Sequence, residues 1–286
     1  MTSCAGNYSG LKPKFIFNMD LRQCPEYARY LSRTGWDVAT LRANKQPVFV
    51  YLKPLVAGLK FAKVQRYDAL DLTALERLRR RHRVIYLVLE PAAPIKIEAY
   101  RQERYCLSRS AYLPTKTLVL DLGQSKTEIF AAFSKNLKRT LNRPPQAKAV
   151  TADPEEFYYF WRRHSRLWPM PKESFLKLMD SFGAKGRLYA SRLNDQLISG
   201  VILLQTPTTA YYYQAWTAPL GRAVNAHHHL VWQILQELKI RRIKTFDFDG
   251  LDDPRFPRRS WQGFSRFKRQ WGGREIEYPG SFQRWF

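Results

Sequence analysis

Lys244-Thr-Phe-Asp-Phe-Asp-Gly-Leu251 alternates from Lys244 to Phe248 in the manner of a buried strand, and Asp247, Asp249 and Gly250 stand at its end. Open α/β sheets carry their binding crevices beyond the carboxyl ends of strands, so chemistry is expected here. An Asp at a strand end also serves as a plain turn residue. Beyond a polar loop follows Phe267-Lys268-Arg-Gln-Trp-Gly-Gly273, which adds a cation and an aromatic ring to the same part of the chain.

Upstream of that strand the elements come in a recognisable order. Arg187 to Leu193, Gln196 to Gln205 and Thr209 to Trp216 read as strands, with Asn194-Asp195 as a hairpin turn. A helix carrying Leu230, Val231, Ile234, Leu235 and Leu238 then leads into Lys244 to Phe248. The first half repeats this order. Asp37 to Arg42, Pro47 to Val56 and Leu59 to Tyr67 are strand-like, and Thr73-Ala-Leu-Glu76 is a capping box opening a helix. Val84 to Leu89 is then a continuous apolar strand stopped at Pro91. Antiparallel strands, a helix and a further strand make the order of the N-acetyltransferase (GNAT) fold. The expectation is an α/β (α+β) chain of two tandem GNAT-like subdomains, residues 1–112 and 113–286, facing a shared cleft.

The remaining helices are marked by their caps. Pro25 suits the first turn of a helix carrying Tyr27, Tyr30 and Leu31, ending before Thr34-Gly35. Ser125-Lys-Thr-Glu128 opens a helix with Ile129, Phe133, Leu137 and Leu141 on one face and Lys135, Lys138, Arg139 and Arg143 on the other. Such a face suits phosphates, although basic helix faces also serve as solvated surface. Asp153-Pro154 begins a helix whose Phe157, Tyr158, Phe160, Trp161, Leu167 and Trp168 read as core.

Composition bounds the partners. The 286 residues hold 48 Lys and Arg against 24 Asp and Glu, a formal charge of +24, which calls for a polyanion: nucleic acid, a nucleotide-linked substrate or an anionic membrane. With 8 Trp, 16 Tyr and 17 Phe, the chain has the apolar content of a folded protein rather than a disordered one. Cys4, Cys24 and Cys106 are too few and too scattered for a disulfide framework and fit a reducing, cytoplasmic setting. The first residues lack a charged segment followed by an apolar one, and no apolar run reaches bilayer length. His227, His228 and His229 are consecutive on a helix and point about 100° apart, so no metal site is expected from them.

Asp-Phe-Asp-Gly, a polar loop, then Phe-Lys-x-x-aromatic-Gly resembles the closing signature of the Fem-type aminoacyltransferases, which move an amino acid from aminoacyl-tRNA onto a peptidoglycan precursor. The likeness runs from about Phe15 to Phe282 and is sharpest at its C-terminal end, with no insertion long enough for the family's coiled-coil arm. The resemblance implies that Lys268 lies near the donor ester, with Phe267 shaping the pocket and Asp247 or Asp249 orienting the attacking amine or accepting its proton. It also implies acceptor contacts from Tyr211 and Tyr213, which alternate on one strand, and from Arg33, three residues before Trp36. Ser134-Lys135-Asn-Leu-Lys138-Arg139 resembles the family's Lys-rich segment, and Lys135, Lys138, Arg139 and, on the same basic face, Arg143 are expected to meet tRNA.

Arg222 and Asn225 lie where relatives that use acetyl-CoA place a pyrophosphate loop, but Asn225 and His227 occupy its Gly positions, so no cofactor is expected and Arg222 remains a phosphate contact. Met170 and Ser174 depart from the family pattern for soluble acceptors, which leaves UDP-linked and lipid-linked muropeptides both open. A cytoplasmic monomer is expected. Two other classes stay open: an acyl-CoA N-acyltransferase on the same fold, and a non-catalytic nucleic-acid-binding protein.

Overall fold

The computed structural model describes residues 19–165 and 169–286; Cys4, Phe15, Leu167 and Trp168 lie outside the described residues. After a short turn at Leu21–Gln23 come α1 (Pro25–Arg33), β1 (Asp37–Ala43), β2 (Gln46–Pro54), β3 (Lys60–Tyr67), α2 (Leu72–Arg81), β4 (Val84–Pro91), α3 (Ile97–Gln102) and β5 (Cys106–Leu107). The chain continues through β6 (Lys116–Asp121), α4 (Lys126–Ala131), α5 (Lys135–Leu141), β7 (Lys148–Thr151), α6 (Pro154–His164), α7 (Lys172–Phe182), β8 (Gly186–Leu193), β9 (Gln196–Gln205) and β10 (Thr209–Thr217). It closes with α8 (Pro219–Ala223), α9 (Ala226–Ile240), β11 (Thr245–Asp247), α10 (Gln262–Arg269), β12 (Arg274–Glu277) and β13 (Phe282–Trp285).

Two sheets result, ordered β1-β2-β3-β4-β13-β5 and β12-β6-β11-β10-β9-β8-β7. The same unit occurs in both. β1, β2 and β3 are antiparallel neighbours and α2 crosses to a parallel β4, just as β8, β9 and β10 are followed by α9 and a parallel β11. Each parallel pair needs its helix crossover, and Ala62 and Val64 of β3 with Leu87 and Leu89 of β4 share a buried cluster with Leu75 of α2. The halves are also stitched together: β13 leaves the second half to pair antiparallel with β4, while β6 holds the equivalent place beside β11.

Local chemistry explains most boundaries. Asn194 and Asp195 both take positive φ, as the two-residue β8–β9 hairpin requires, and Asn44 and Lys45 do the same between β1 and β2. Three details differ from the sequence expectation. The α2 cap is Asp71, whose carboxylate accepts from the Ala74 N–H, so Thr73 falls inside the helix. The helix expected through Leu141 breaks after Ala131, because Ser134 caps a new helix while its own N–H donates to Gln270 O (2.8 Å). Arg143 therefore lies beyond α5 rather than on its face. The strand at Lys244 shortens to Thr245–Asp247, although Phe248 N–H still bonds Leu118 O in β6.

Three apolar clusters hold these layers. One lies under α2 and α3 against the first sheet, and another joins α4, α5 and α9 to the second sheet through Phe133, Leu137, Ile234, Phe246 and Trp271. The third joins the halves. Tyr27, Tyr30 and Leu31 of α1 and Tyr51 of β2 pack with Phe157, Trp161, Phe175 and Leu178 from α6 and α7. The N-terminal helix thus buries its apolar side against the second half, which fixes Leu21–Gln23 close to the end of β11.

Candidate active site

The site forms where β10 and β11 part. Their parallel pairing stops at Tyr211↔Asp247, and β10 bulges between Tyr212 and Gln214. A bulge bends its strand and raises the local twist, so a wedge opens at the carboxyl end of β11.

Asp247-Phe-Asp249-Gly250 turns sharply at that wedge. Asp247 Oδ1 accepts from the Thr117 hydroxyl and from the Asp249 N–H (2.7 Å), and Gly250 N–H donates to Thr117 Oγ1 (3.1 Å). Asp249 has φ 50 and Gly250 φ 121, where a methyl group on Gly250 would lie 2.8 Å from Pro114 Cγ. Only glycine suits that place.

Lys268 reaches this turn from α10. Its Nζ donates to Phe248 O (2.6 Å) and Gly250 O (2.7 Å), lies 4.8 Å from the centre of the Phe264 ring and is 6% exposed. The polar stretch before Phe267, expected as loop, is in part this helix, which carries Phe264 and Phe267 three residues apart. Phe267 packs against the His227 and His228 rings and against Trp271. The two glycines that follow end the helix: Gly272 and Gly273 have φ 67 and 89, and a methyl on Gly273 would lie 2.6 Å from Val119 O.

Burial tunes the charges. It lowers the Lys268 ammonium to a pKa of about 8, against the opposing attraction of Asp249 and Asp247. It raises Asp247 to about 6, helped by the Asp249 charge and opposed by the Thr117 and Asp249 hydrogen bonds. Near neutral pH the amine is thus still mostly protonated and the carboxyl mostly ionised, each close enough to its pKa for charge stabilisation and proton transfer.

The sequence expectation did not include the partner of Asp249. Arg22 Nη2 meets Asp249 Oδ2 at 2.7 Å, both side chains nearly sealed from solvent. Asp20 is half-buried beside them, its carboxyl raised by desolvation against the pull of Arg22 and Arg66. Tyr211 and Tyr213 lie on the face of β10 toward this cluster, and their hydroxyls are pushed well up by burial, with Asp20 and Asp247 adding at Tyr211. No local pattern marks Arg22, because its partner lies at the far end of the chain. Also missing from the expectation is a buried link behind Phe267: His227 Nδ1 bonds Ser199 Oγ (2.6 Å) and its Nε2 bonds the Tyr212 hydroxyl. Burial lowers His227 to about 3, so the imidazole is neutral.

The geometry thus joins Lys268, Asp247, Asp249, Tyr211 and Tyr213, with Phe267 behind them. Other expected residues lie elsewhere. Arg33 pairs with Asp180 on the exposed side of α1. Trp36 stands at the edge of the first sheet under Lys63 and Lys53, whose Nζ atoms lie 4.6 and 5.6 Å from its ring centre. Arg222 Nη1 is tied to Thr217 O (2.6 Å), and Asn225 takes φ 53 at the start of α9. Its N–H is bonded to Arg222 O and that of His228 to Asn225 O, so this helix entry is partly closed on itself. Lys135 and Arg139 are exposed on α5, Lys138 donates to Ala131 O (2.6 Å), and Arg143 is exposed beyond the helix. The Ser134–Gln270 bond puts the start of α5 against the end of the helix that carries Lys268.

Comparison with known proteins follows the same lines. Residues 131–269 match the acetyltransferase (GNAT) domain family. No curated protein matches the chain. Among solved structures, FemX superposes with a TM-score of 0.77 at 12% identity, over 93% of this chain and 92% of that one. The C-terminal domain of a lysylphosphatidylglycerol synthetase from Agrobacterium fabrum gives a TM-score of 0.55 at 12% identity, over 89% and 85% of the two chains. A tandem GNAT protein from the clavulanic acid biosynthesis pathway gives 0.53 at 13% identity, over 88% and 83%. The chain has a mixed α/β tandem-GNAT fold, the fold of FemX, and the domain match supports an acyltransferase.

Proposed function

We propose that this chain is a Fem-type aminoacyltransferase that moves an amino acid from aminoacyl-tRNA to an amine of a peptidoglycan precursor. The observation that carries the proposal is Lys268, a buried cation held by two carbonyls beside two carboxylates, at the wedge between β10 and β11. The likeness of fold to FemX along nearly the whole chain supports it.

In the reaction proposed, the acceptor amine attacks the ester carbonyl of the aminoacyl group. A C–N bond forms, the ester C–O bond to the ribose breaks, and the proton lost by the amine ends on the released ribose hydroxyl. The intermediate carries an oxyanion. Two of the three Lys268 N–H groups are committed to Phe248 O and Gly250 O, which fixes the ammonium and leaves the third for that oxygen. Asp247 is the carboxylate suited to relay the proton, since burial raises its pKa to about 6, near the working pH, whereas Asp249 is held by Arg22. Tyr211 and Tyr213 border the acceptor side, and the exposed cations of α5 and Arg143 suit tRNA phosphates. The domain division at 112/113, a monomeric state and a cytoplasmic setting belong to the same proposal. Among the described residues no helix is long and apolar enough to cross a membrane.

The match to an acetyltransferase domain favours a second reading, acyl-CoA-dependent N-acylation. Against it stands the entry to α9, where a pyrophosphate would need free amides and small residues but meets Asn225 and the buried His227 ring. Incubation with a charged total tRNA pool and a UDP-linked muropeptide, followed by mass spectrometry, separates the two. An added aminoacyl mass supports the proposal, while saturable stabilisation by acetyl-CoA with no aminoacyl product overturns it.

A further inference from the structure

At one end of the first sheet the polypeptide gathers exposed apolar side chains among arginines. The register brings the parts together: Pro54 at the end of β2 pairs with Lys60, Lys60 pairs with Val84 at the start of β4, and Tyr86 pairs with Trp285. The β2–β3 loop, the α2–β4 loop and the Trp285-Phe286 segment therefore share one edge.

The β2–β3 loop is a tight projection, closed by Leu55 N–H to Leu59 O (2.8 Å) with Ala57 and Gly58 at positive φ. It exposes Leu55 (45%) and Val56 (82%), and Trp285 is 68% exposed. Scattered apolar residues are ordinary at a protein surface, but here they project beside charge. The neighbouring turn reads Arg80-Arg81-His82-Arg83, with the guanidinium of Arg83 beside Gly58 and that of Arg79 over the Phe286 ring. Glu76 answers Arg79 and Arg80, and Asp37 answers Lys60; among the described residues no acidic partner answers Arg81 or Arg83.

We propose that this edge docks on an anionic lipid surface. Leu55 and Val56 enter the interfacial layer, Trp285 lies at headgroup depth, and Arg81 and Arg83 meet lipid phosphates. Charge complementarity alone also suits nucleic acid. Aliphatic side chains at the tip of the loop distinguish the two, because they offer bases nothing to stack on and an acyl boundary a place to insert. The proposal stands apart from the catalytic reading, since its residues lie outside the wedge and its readout is binding.

Co-sedimentation of the full chain with vesicles of phosphatidylcholine, alone or mixed with phosphatidylglycerol, tests it. The protein is expected to pellet only with the anionic vesicles. Leu55→Asp/Val56→Asp is expected to weaken partitioning at least about tenfold, and Arg81→Ala/Arg83→Ala about thirtyfold. All four positions are exposed, and unchanged thermal unfolding of both variants verifies that they fold. Equal pelleting with neutral and anionic vesicles, or none with either, overturns the proposal. So does a Leu55/Val56 variant that partitions like wild type, or an arginine variant that loses affinity for single-stranded RNA while keeping its hold on vesicles.

Discussion

Arg22 and Asp249 form a buried ion pair between the segment before α1 and the turn after β11, at 2.7 Å with side chains 5% and 9% exposed. The bond ties the N-terminal end of the described chain to the carboxylate turn of the second half. Removing one partner strands the other charge away from water. Arg22→Ala is expected to cost about 3–5 kcal/mol in urea unfolding. Arg22→Leu with Asp249→Leu, which removes both charges, is expected to regain much of that loss; a double variant no better than the sum of its parts would dissolve the pair as an energetic unit.

Gly273 closes α10 at φ 89, with Val119 O and Leu120 Cδ2 crowding the place a methyl group would take. Gly273→Ala combines left-handed strain with a collision against backbone, so it is expected to lower stability by at least about 1–3 kcal/mol. Thermal unfolding checks this, and an unchanged melting temperature would remove the structural reason for the second glycine of the motif.

The proposed transfer needs Lys268 protonated and Asp247 ionised. Asp247, raised by burial to about 6, makes the rate climb as pH passes that value, and Lys268, lowered by burial to about 8, makes it fall as pH passes that one. A bell-shaped profile of the single-turnover rate with limbs near these values is expected, the two belonging to the coupled pair. In Asp247→Asn the acidic limb is expected to disappear.

His227 is enclosed by Ser199 and Tyr212 and held neutral. Its ring nitrogens are expected to report a single neutral tautomer by NMR from pH 8 down to about 5. Titration near the usual imidazole value would mean that water reaches the space behind Phe267.

Much of this architecture is legible in the sequence because it depends on local pattern. Apolar alternation and the Asn194-Asp195 turn define β8 to β10, and the leucine stripe of α9 followed by Lys244 to Phe248 defines the parallel crossover. Lys268 and Asp247 stand out through the motif spacing, and burial brings them together. The missing parts depend on distant contacts. Ser134 starts a new helix where the apolar spacing runs straight on, because Gln270 O takes its N–H. α10 is short, follows Pro257 and carries Gly263 in its first turn, so its helical signal is weak, and it gains order by driving Lys268 into the turn. β13 crosses to the first sheet on four residues, too few to declare a partner. Arg22 is one arginine among many until Asp249 is placed beside it.

The central claim is that the fixed Lys268 charge stabilises the transfer step. It is tested most directly by the single-turnover rate of aminoacyl transfer from charged tRNA, in wild type and in Lys268→Met, which keeps the length of the side chain and removes its charge. A fall of about 10²–10³ in rate with tRNA affinity unchanged is the predicted result. Equal rates in a variant that folds and binds tRNA normally would contradict it.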